Sequence, residues 1–510
     1  MNPFIKALTF RANNANDIIL IDAASGNEFS AKDILELSYE FAGKLWASGI
    51  RQDDHIIISI SASPNYYALL YGSFLIGAIP SLVDVNQNKA KLIECVDELK
   101  PSLWISDNEI SDFVTVTVNT LLGLEPAKFS KSLVTDSTVC LLLYTSGTTG
   151  TPKGVPWTVG QLISQAQELN NFHQVIDTEF VIFPYLALAS IYNKRKAVIP
   201  NTSSLQPNRM PIGNILKQME KFGCDYIFAS PAFWVRVIEH LNRTSSKLDF
   251  ITIISTAGSS LSLNMLSELN ALLQNGEIYI PYASTEALLP ITQINFTQFQ
   301  RLSMRQTARA MGVPLGKACD GIELSIIPPT SESSKVMPLT ANLIGEIVVS
   351  GKRITSEYFR RPDLTKASKV TLHGSPIIWH KMGDLGYIDD NGMVWFMTRK
   401  KYAVPIGDEY FFPDAIEHYI NLHTGIHSSA VIYHQGDHRI TVVIPEFECK
   451  DLDFQLIENK VQELGYKSST TMLYPTLLPT DKRHNSKVDR DTLKIWVESN
   501  HEALELEAER

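Results

Sequence analysis

Apolar residues at Ile34, Leu37, Phe41 and Leu45 share one face at a 3.6-residue period, and Gly49 follows them. That spacing predicts a helix ending near Gly49. The short apolar run His55-Ile-Ile-Ile-Ser-Ile60 reads as a buried strand. Similar runs recur at Val139–Leu143, Phe180–Phe183, Tyr226–Ala229, Ile251–Ile254 and Glu277–Ile280. Helical stretches lie among them at Asn214–Phe222, with Asn214 placed as the N-cap, and at Ala232–Leu241. Strands separated by helices imply parallel sheets covered on both faces.

The pattern changes after the loop Pro328–Ser334. Gly345-Glu-Ile-Val-Val-Ser-Gly351 reads as a strand of a separate, more β-rich unit. A second boundary falls near Thr398-Arg-Lys-Lys401. Beyond it, a helix at Asp414–Leu422 and strands at Ala430–Tyr433 and Ile440–Ile444 make a small α+β unit. The expected fold class is α/β, with a large N-terminal domain (1–398) of parallel-rich sheets and a β-rich subdomain. A small α+β C-terminal domain (399–510) completes it. The charged tail Glu502–Arg510 reads as an exposed or frayed helix end.

A chain of 510 residues exceeds one ordinary core, which agrees with two or more domains. The formal charge of −10 disfavours a nucleic-acid partner. Cys95, Cys140, Cys224, Cys319 and Cys449 are dispersed, without metal-ligand spacing, and their odd count gives no complete disulfide framework. A reducing cytoplasm is the expected location. The segment Met1–Arg11 lacks the apolar core of a signal peptide, and no run approaches a membrane span.

The chemistry concentrates in Tyr144-Thr-Ser-Gly-Thr-Thr-Gly-Thr-Pro-Lys-Gly154, which follows the strand at Val139–Leu143. Glycines let backbone amides approach a ligand, and amides, hydroxyls and an ammonium together cradle phosphates. A kinase-type loop needs Gly-Lys-Ser/Thr, whereas Lys153 here sits between Pro152 and Gly154. The alternative is a polar surface loop. The string resembles the phosphate loop of the adenylate-forming, AMP-binding enzymes. Thr256-Ala-Gly-Ser-Ser260 is similar to that family's adenine-contacting turn, and Tyr282-Ala-Ser-Thr-Glu286 to its aromatic-Gly-x-Thr-Glu motif, with Ala283 in place of glycine. Gly383-Asp-Leu-Gly-Tyr387 and Asp481–Arg490 resemble its Gly-Asp and terminal-lysine motifs.

The resemblance implies ATP and Mg²⁺ as cofactors. It places Thr145, Ser146, Gly147, Thr148, Thr149, Gly150, Lys153, Gly258, Ser259, Tyr282, Ala283, Ser284, Asp384 and Arg399 around the nucleotide. Tyr282 would stack on adenine, Thr285 contact the α-phosphate, Glu286 hold Mg²⁺ and Asp384 accept from both ribose hydroxyls. Lys487 would offset the charge of carboxylate and α-phosphate during adenylation. Lys401 occupies the hinge about which the family's small domain moves. Taken alone, Tyr282–Glu286 is an ordinary strand-to-helix turn, Asp384 a turn aspartate and Lys487 a loop lysine.

The wording Arg483-His-Asn-Ser-Lys487, with Trp379–Asp384, Trp395–Lys400, Phe183–Leu188 and Ala229–Phe233, resembles the β-lactone synthetases of bacterial olefin biosynthesis. The post-hinge segment Tyr402–Phe412 lacks the Gly-Gly turn of many thiol-transferring members. The resemblance therefore implies adenylation of a 2-alkyl-3-hydroxy fatty acid, then attack by its own hydroxyl. His484 is the candidate general base, although a lone histidine in a polar loop also reads as a solvated residue. The alternatives are a fatty acyl-CoA or acyl-carrier-protein ligase, and a non-catalytic nucleotide binder. The expected partners are a fatty-acid-derived substrate and other enzymes of the same pathway, with no nucleic acid and no transmembrane segment.

Overall fold

The computed structural model describes residues 1–83, 85, 88–145, 152–172, 175–202, 209–258, 261–306, 312–329, 335–407, 409–434, 439–448, 452–466, 469–480 and 488–508. A six-stranded sheet near the amino end runs in the order Val116–Thr117, Leu103–Ser106, His55–Ser59, Ile79–Leu82, Val139–Tyr144 and Gly154–Thr158. Its strands are parallel except the last, which turns back along Val139–Tyr144. The helices Ala31–Ala47 and Pro64–Ile76 pack on it with Phe41, Leu45, Tyr67 and Tyr71 inside. The first of these carries a capping box, in which Ser30 and Asp33 satisfy each other's backbone amides.

A second, larger sheet has a parallel half: Ile18–Asp22, Lys196–Ile199, Thr178–Phe180, Tyr226–Ala229, Ile253–Thr256 and Glu277–Ser284. The expected strands are present with shifted ends, and the expected strand at Phe180–Phe183 survives only at Phe180. Pro184 opens a 3₁₀ turn there instead. The helix expected from Asn214 begins at Ile212, after Pro211. Asn214 is therefore an interior residue, its amide bonded to the Pro211 carbonyl, and not the cap.

The β-rich unit is not separate from this sheet. Val313–Ala318 pairs with Ala287–Asn295 through Ala318 and Lys317, and with Val394–Arg399 through Val313 and Pro314. One strand thus serves two ladders, and the antiparallel strands Ile378–Ile388, Gly345–Gly351 and Ile322–Ile327 continue the same sheet. Gly316, opposite Val394, follows the register slip within the second of these ladders with φ +95°, and a Cβ there would meet the Gln293 carbonyl oxygen at 2.2 Å.

Beyond Arg399, a hairpin (Val404–Ile406 and Glu409–Phe411) leads into helix Pro413–Thr424. A three-stranded sheet of Ala430–His434, Arg439–Pro445 and Ser469–Tyr474 follows. Phe411, Ile416, Ile420, Val442 and Ile457 give this region its own core. Asn264 fastens it to the larger sheet's helices by donating to the carbonyls of Asn421 and Ile426. No described helix is long and apolar enough to cross a membrane. The described cysteines Cys95, Cys140, Cys224 and Cys319 are buried and form no disulfide among the described residues.

Candidate active site

The hydroxyl- and glycine-rich run connects two paired strands. Tyr144 lies opposite Gly154, and the Thr145 amide donates to the Lys153 carbonyl at 2.9 Å, which closes the base of the connection. A kinase-type loop instead leads into a helix. Ser146, Gly147, Thr148, Thr149 and Gly150 lie outside the described residues, as does Ser259. Lys153 is described, with its Nζ 5.1 Å from the centre of the Tyr358 ring.

Tyr282–Glu286 forms the end of a β-hairpin, not the strand-to-helix turn that the bare residues suggest. Glu277–Ser284 returns as Ala287–Asn295, with Thr285 and Glu286 at the tip. The ladder slips between Tyr282 and Ser284. Ala283 at that slip stays out of the left-handed region, so alanine stands in the family's glycine position without backbone strain.

Asp384 is 1% exposed and faces Tyr282 and Arg399. The Tyr282 hydroxyl donates to its Oδ2 at 2.5 Å, and Arg399 Nη1 lies 2.7 Å from its Oδ1. Local backbone places it there. Glu346 pairs with Leu385 and Val348 with Lys381, so Ile378–Ile388 bulges around Gly383, whose φ is +69°. Burial pushes the Tyr282 phenol well above its ordinary pKa, with the Asp384 charge adding to it. Asp384 in turn holds Arg399 more firmly protonated.

A strap, residues 355–359, joins the hairpin tip to the strand after the phosphate loop. The Thr355 amide donates to the Glu286 carbonyl at 2.9 Å, the Thr355 hydroxyl to that of Pro156 at 3.4 Å, and the Phe359 amide to that of Gly154 at 2.8 Å. The Tyr358 hydroxyl donates to Glu286 Oε1 at 2.7 Å. Behind the strap, Lys369 and His380 are cross-strand partners. Lys369 Nζ sits 3.3 Å from His380 Nδ1 and also donates to the Thr355 carbonyl. Burial brings the Lys369 pKa down to about 8, against an opposing pull from Glu286. Burial, then Lys369 and Lys153, holds His380 well below its ordinary value and therefore neutral.

The sequence reading did not single out Thr355, Tyr358, Lys369 or His380 for this site. The available signal was a lysine opening the short strand Lys369–Leu372 and a histidine beside Trp379 at the start of Ile378–Ile388.

Two observations make the site fit a nucleotide. Thr256 Oγ1 and Ser284 Oγ are buried without a hydrogen-bond partner among the described residues. They lie near the carboxyl ends of adjacent parallel strands, where ligands of α/β sheets bind. Glu286 is a hard oxygen donor of the type Mg²⁺ takes alongside phosphate and water. Among the described residues no three acidic, histidine or cysteine side chains cluster as a metal site.

Lys487 and His484 lie outside the described residues. Their segment is closed at its base by a bridge between Thr480 and Val488 and by the Asp489 amide on the Pro479 carbonyl at 2.8 Å. Arg490 then anchors it to helix Pro413–Thr424, bonding Glu417 at 2.5 and 2.8 Å and Asp414 at 3.1 Å. Asp414 also accepts from the Thr398 hydroxyl. Lys401 lies in the 3₁₀ turn Lys400–Tyr402, its Nζ 4.2 Å from the centre of the Tyr402 ring.

Residues 9–359 match the model of the AMP-binding enzyme family. The olefin beta-lactone synthetase of Stenotrophomonas maltophilia is 26% identical over 94% of this chain and 94% of its own length. The 2-succinylbenzoate–CoA ligase of Oceanobacillus iheyensis is 23% identical over 83% of this chain and 85% of its own. Among solved structures, O-succinylbenzoate coenzyme A synthetase of Bacillus subtilis, in complex with ATP and magnesium, superposes with a TM-score of 0.77. It is 20% identical, covering 96% of this chain and 99% of that one, which establishes a shared adenylate-forming fold.

Proposed function

Since the chain belongs to the AMP-binding enzyme family, we propose that it adenylates a fatty-acid carboxylate and then closes a 2-alkyl-3-hydroxy acid to a β-lactone. The observation carrying the finer reading is the similarity, nearly end to end, to olefin beta-lactone synthetases. The absent Gly-Gly turn in Tyr402–Phe412 supports it.

A carboxylate is a poor electrophile because its leaving group is oxide. One of its oxygens attacks the α-phosphorus of ATP, and the bond to the β-phosphate oxygen breaks, releasing pyrophosphate. In this reading Asp384 accepts from the ribose hydroxyls once the Tyr282 and Arg399 contacts rearrange. Thr285 contacts the α-phosphate, and Glu286 would hold Mg²⁺. The ion would supply charge stabilisation to the phosphate oxygens. Thr145, Lys153 and the intervening loop hold the departing phosphates, and Lys487 offsets the meeting of two anions. The substrate's 3-hydroxyl then attacks the acyl carbon, its proton passes to a base for which His484 is the candidate, and AMP leaves. Intramolecular placement supplies the effective concentration that a strained ring demands.

A thioester-forming ligase is the second reading, favoured by the similarity to 2-succinylbenzoate–CoA ligases. Pyrophosphate release across plain and 3-hydroxy acids, with and without CoA, separates the two. The proposal expects a 3-hydroxy acid to turn over without CoA and the matching plain acid to stop after one equivalent. Turnover of both acids only with CoA contradicts it.

A further inference from the structure

We propose that Lys369 is a second cation for the departing diphosphate, placed across the strap from Lys153. Strap contacts bring Glu286, the strand after the phosphate loop and Lys369 into one cluster. Tyr358 occupies its middle, with its hydroxyl on Glu286 and its ring under Lys153. Lys369 does not lie along the surface as an ordinary strand lysine would. The Thr355 carbonyl and His380 Nδ1 fix its ammonium from behind. Glu286 already takes a hydrogen bond from Tyr358, and its charge acts on Lys369, while Lys153 lies over the Tyr358 ring. With Lys153 and Lys369 set against the carboxylate of Glu286, the cluster around Tyr358 carries surplus positive charge beside the strand Gly154–Thr158, and a polyanion neutralises it.

When the carboxylate oxygen bonds to the α-phosphorus, the electron pair of the breaking bond goes to the β-phosphate oxygen. Lys369 and Lys153 stabilise that growing charge. The ligand chemistry is a diphosphate, either free pyrophosphate or the β,γ end of ATP. The proposal rests on adenylation and is independent of lactone closure, because its test contains no acid substrate.

Titration calorimetry with ATP, AMP and pyrophosphate, each with Mg²⁺, on the full chain and on Lys369→Met and Lys369→Arg provides the first arm. Loss of one charged contact weakens ATP and pyrophosphate binding by about tenfold in Lys369→Met. AMP binding stays within about twofold, and Lys369→Arg recovers most of the loss. The second arm uses the unaltered protein, so it survives a variant that does not fold. Pyrophosphate is expected to shield Lys369 from an amine-acylating reagent, read by peptide mass spectrometry, and AMP is not. Free pyrophosphate binding and shielding assign that source, whereas ATP effects alone assign only the β,γ end of the bound nucleotide. Equal loss of AMP and ATP affinity, unchanged ATP affinity in Lys369→Met, or shielding by neither ATP nor pyrophosphate overturns the proposal.

Discussion

In the proposed reading, nucleotide binding depends most on Asp384. It is buried, and without ligand it is already engaged by Tyr282 and Arg399. In that reading, ribose hydroxyls take the place of one of these contacts. Asp384→Ala is expected to weaken AMP and ATP binding at least about tenfold, since hydrogen bonds to a charged group are worth about 1.5–3 kcal/mol each. Unchanged affinity in a folded variant would leave Asp384 only a structural partner of Arg399. Lys487→Ala is expected to remove nearly all pyrophosphate release while ATP affinity stays within a few-fold, because this lysine acts on charge that develops during reaction. Comparable loss of affinity would assign it to ground-state binding.

A third residue reports on stability. Glu179 is buried against Ser190, and burial pushes its pKa up to about 7. The folded chain then holds a proton that the unfolded chain, at about 4.5, has released. Stability accordingly falls as pH rises from about 4.5 to 7 and levels above that. Glu179→Gln is expected to flatten that decline in melting temperature, and an unaltered slope would count against it.

The strands and helices were largely legible, and the reasons for the exceptions are local. Apolar runs marked Tyr226–Ala229 and Gly345–Gly351 because each is buried along most of its length. Phe180–Phe183 has the same composition, but Pro184 ends the ladder. Asn214 looked like a cap because the pattern does not show that Pro211 already starts the helix. The hairpin at Thr285 and Glu286 was hidden by a turn sequence that serves a helix equally well. The motif residues Asp384 and Arg399 come together because they are register partners on adjacent strands. Lys369 and His380 pair in the same way, yet no motif announced Lys369, and His380 lay unremarked within the Trp379–Asp384 segment. At the boundary between regions, Lys401→Pro fixes one φ and removes an amide donor. If the C-terminal region alternates between two positions, rapid-quench measurement of each step will find one half-reaction far better preserved than the other. Equal loss of both places the hinge elsewhere.

Across the whole molecule, the alternation of strands and helices foretold parallel sheets, and the pattern change near Pro328 foretold a more β-rich part, which the structure begins earlier, at Ala287–Asn295. It did not reveal that the β-rich part extends the larger sheet, because that depends on Val313–Ala318 pairing on both edges. This continuity matters for function. It carries Asp384 and Arg399 on the same sheet as Tyr282, while the strap reaches Gly154 and Pro156 on the other sheet. The C-terminal region reaches this assembly through Thr398, Asp414 and Arg490, which lead from the boundary to the end of the lysine segment.

Isotope tracing through one reaction tests the central claim, carboxylate activation followed by attack of the substrate's own hydroxyl. A 2-alkyl-3-hydroxy fatty acid labelled with oxygen-18 at both carboxylate oxygens is incubated with the protein, ATP and Mg²⁺, without CoA. Mass spectrometry is expected to find one label in AMP and one in a β-lactone, whose ring oxygen comes from the unlabelled hydroxyl. Unlabelled AMP with both labels retained in the organic product, or no product until CoA is added, would contradict the account.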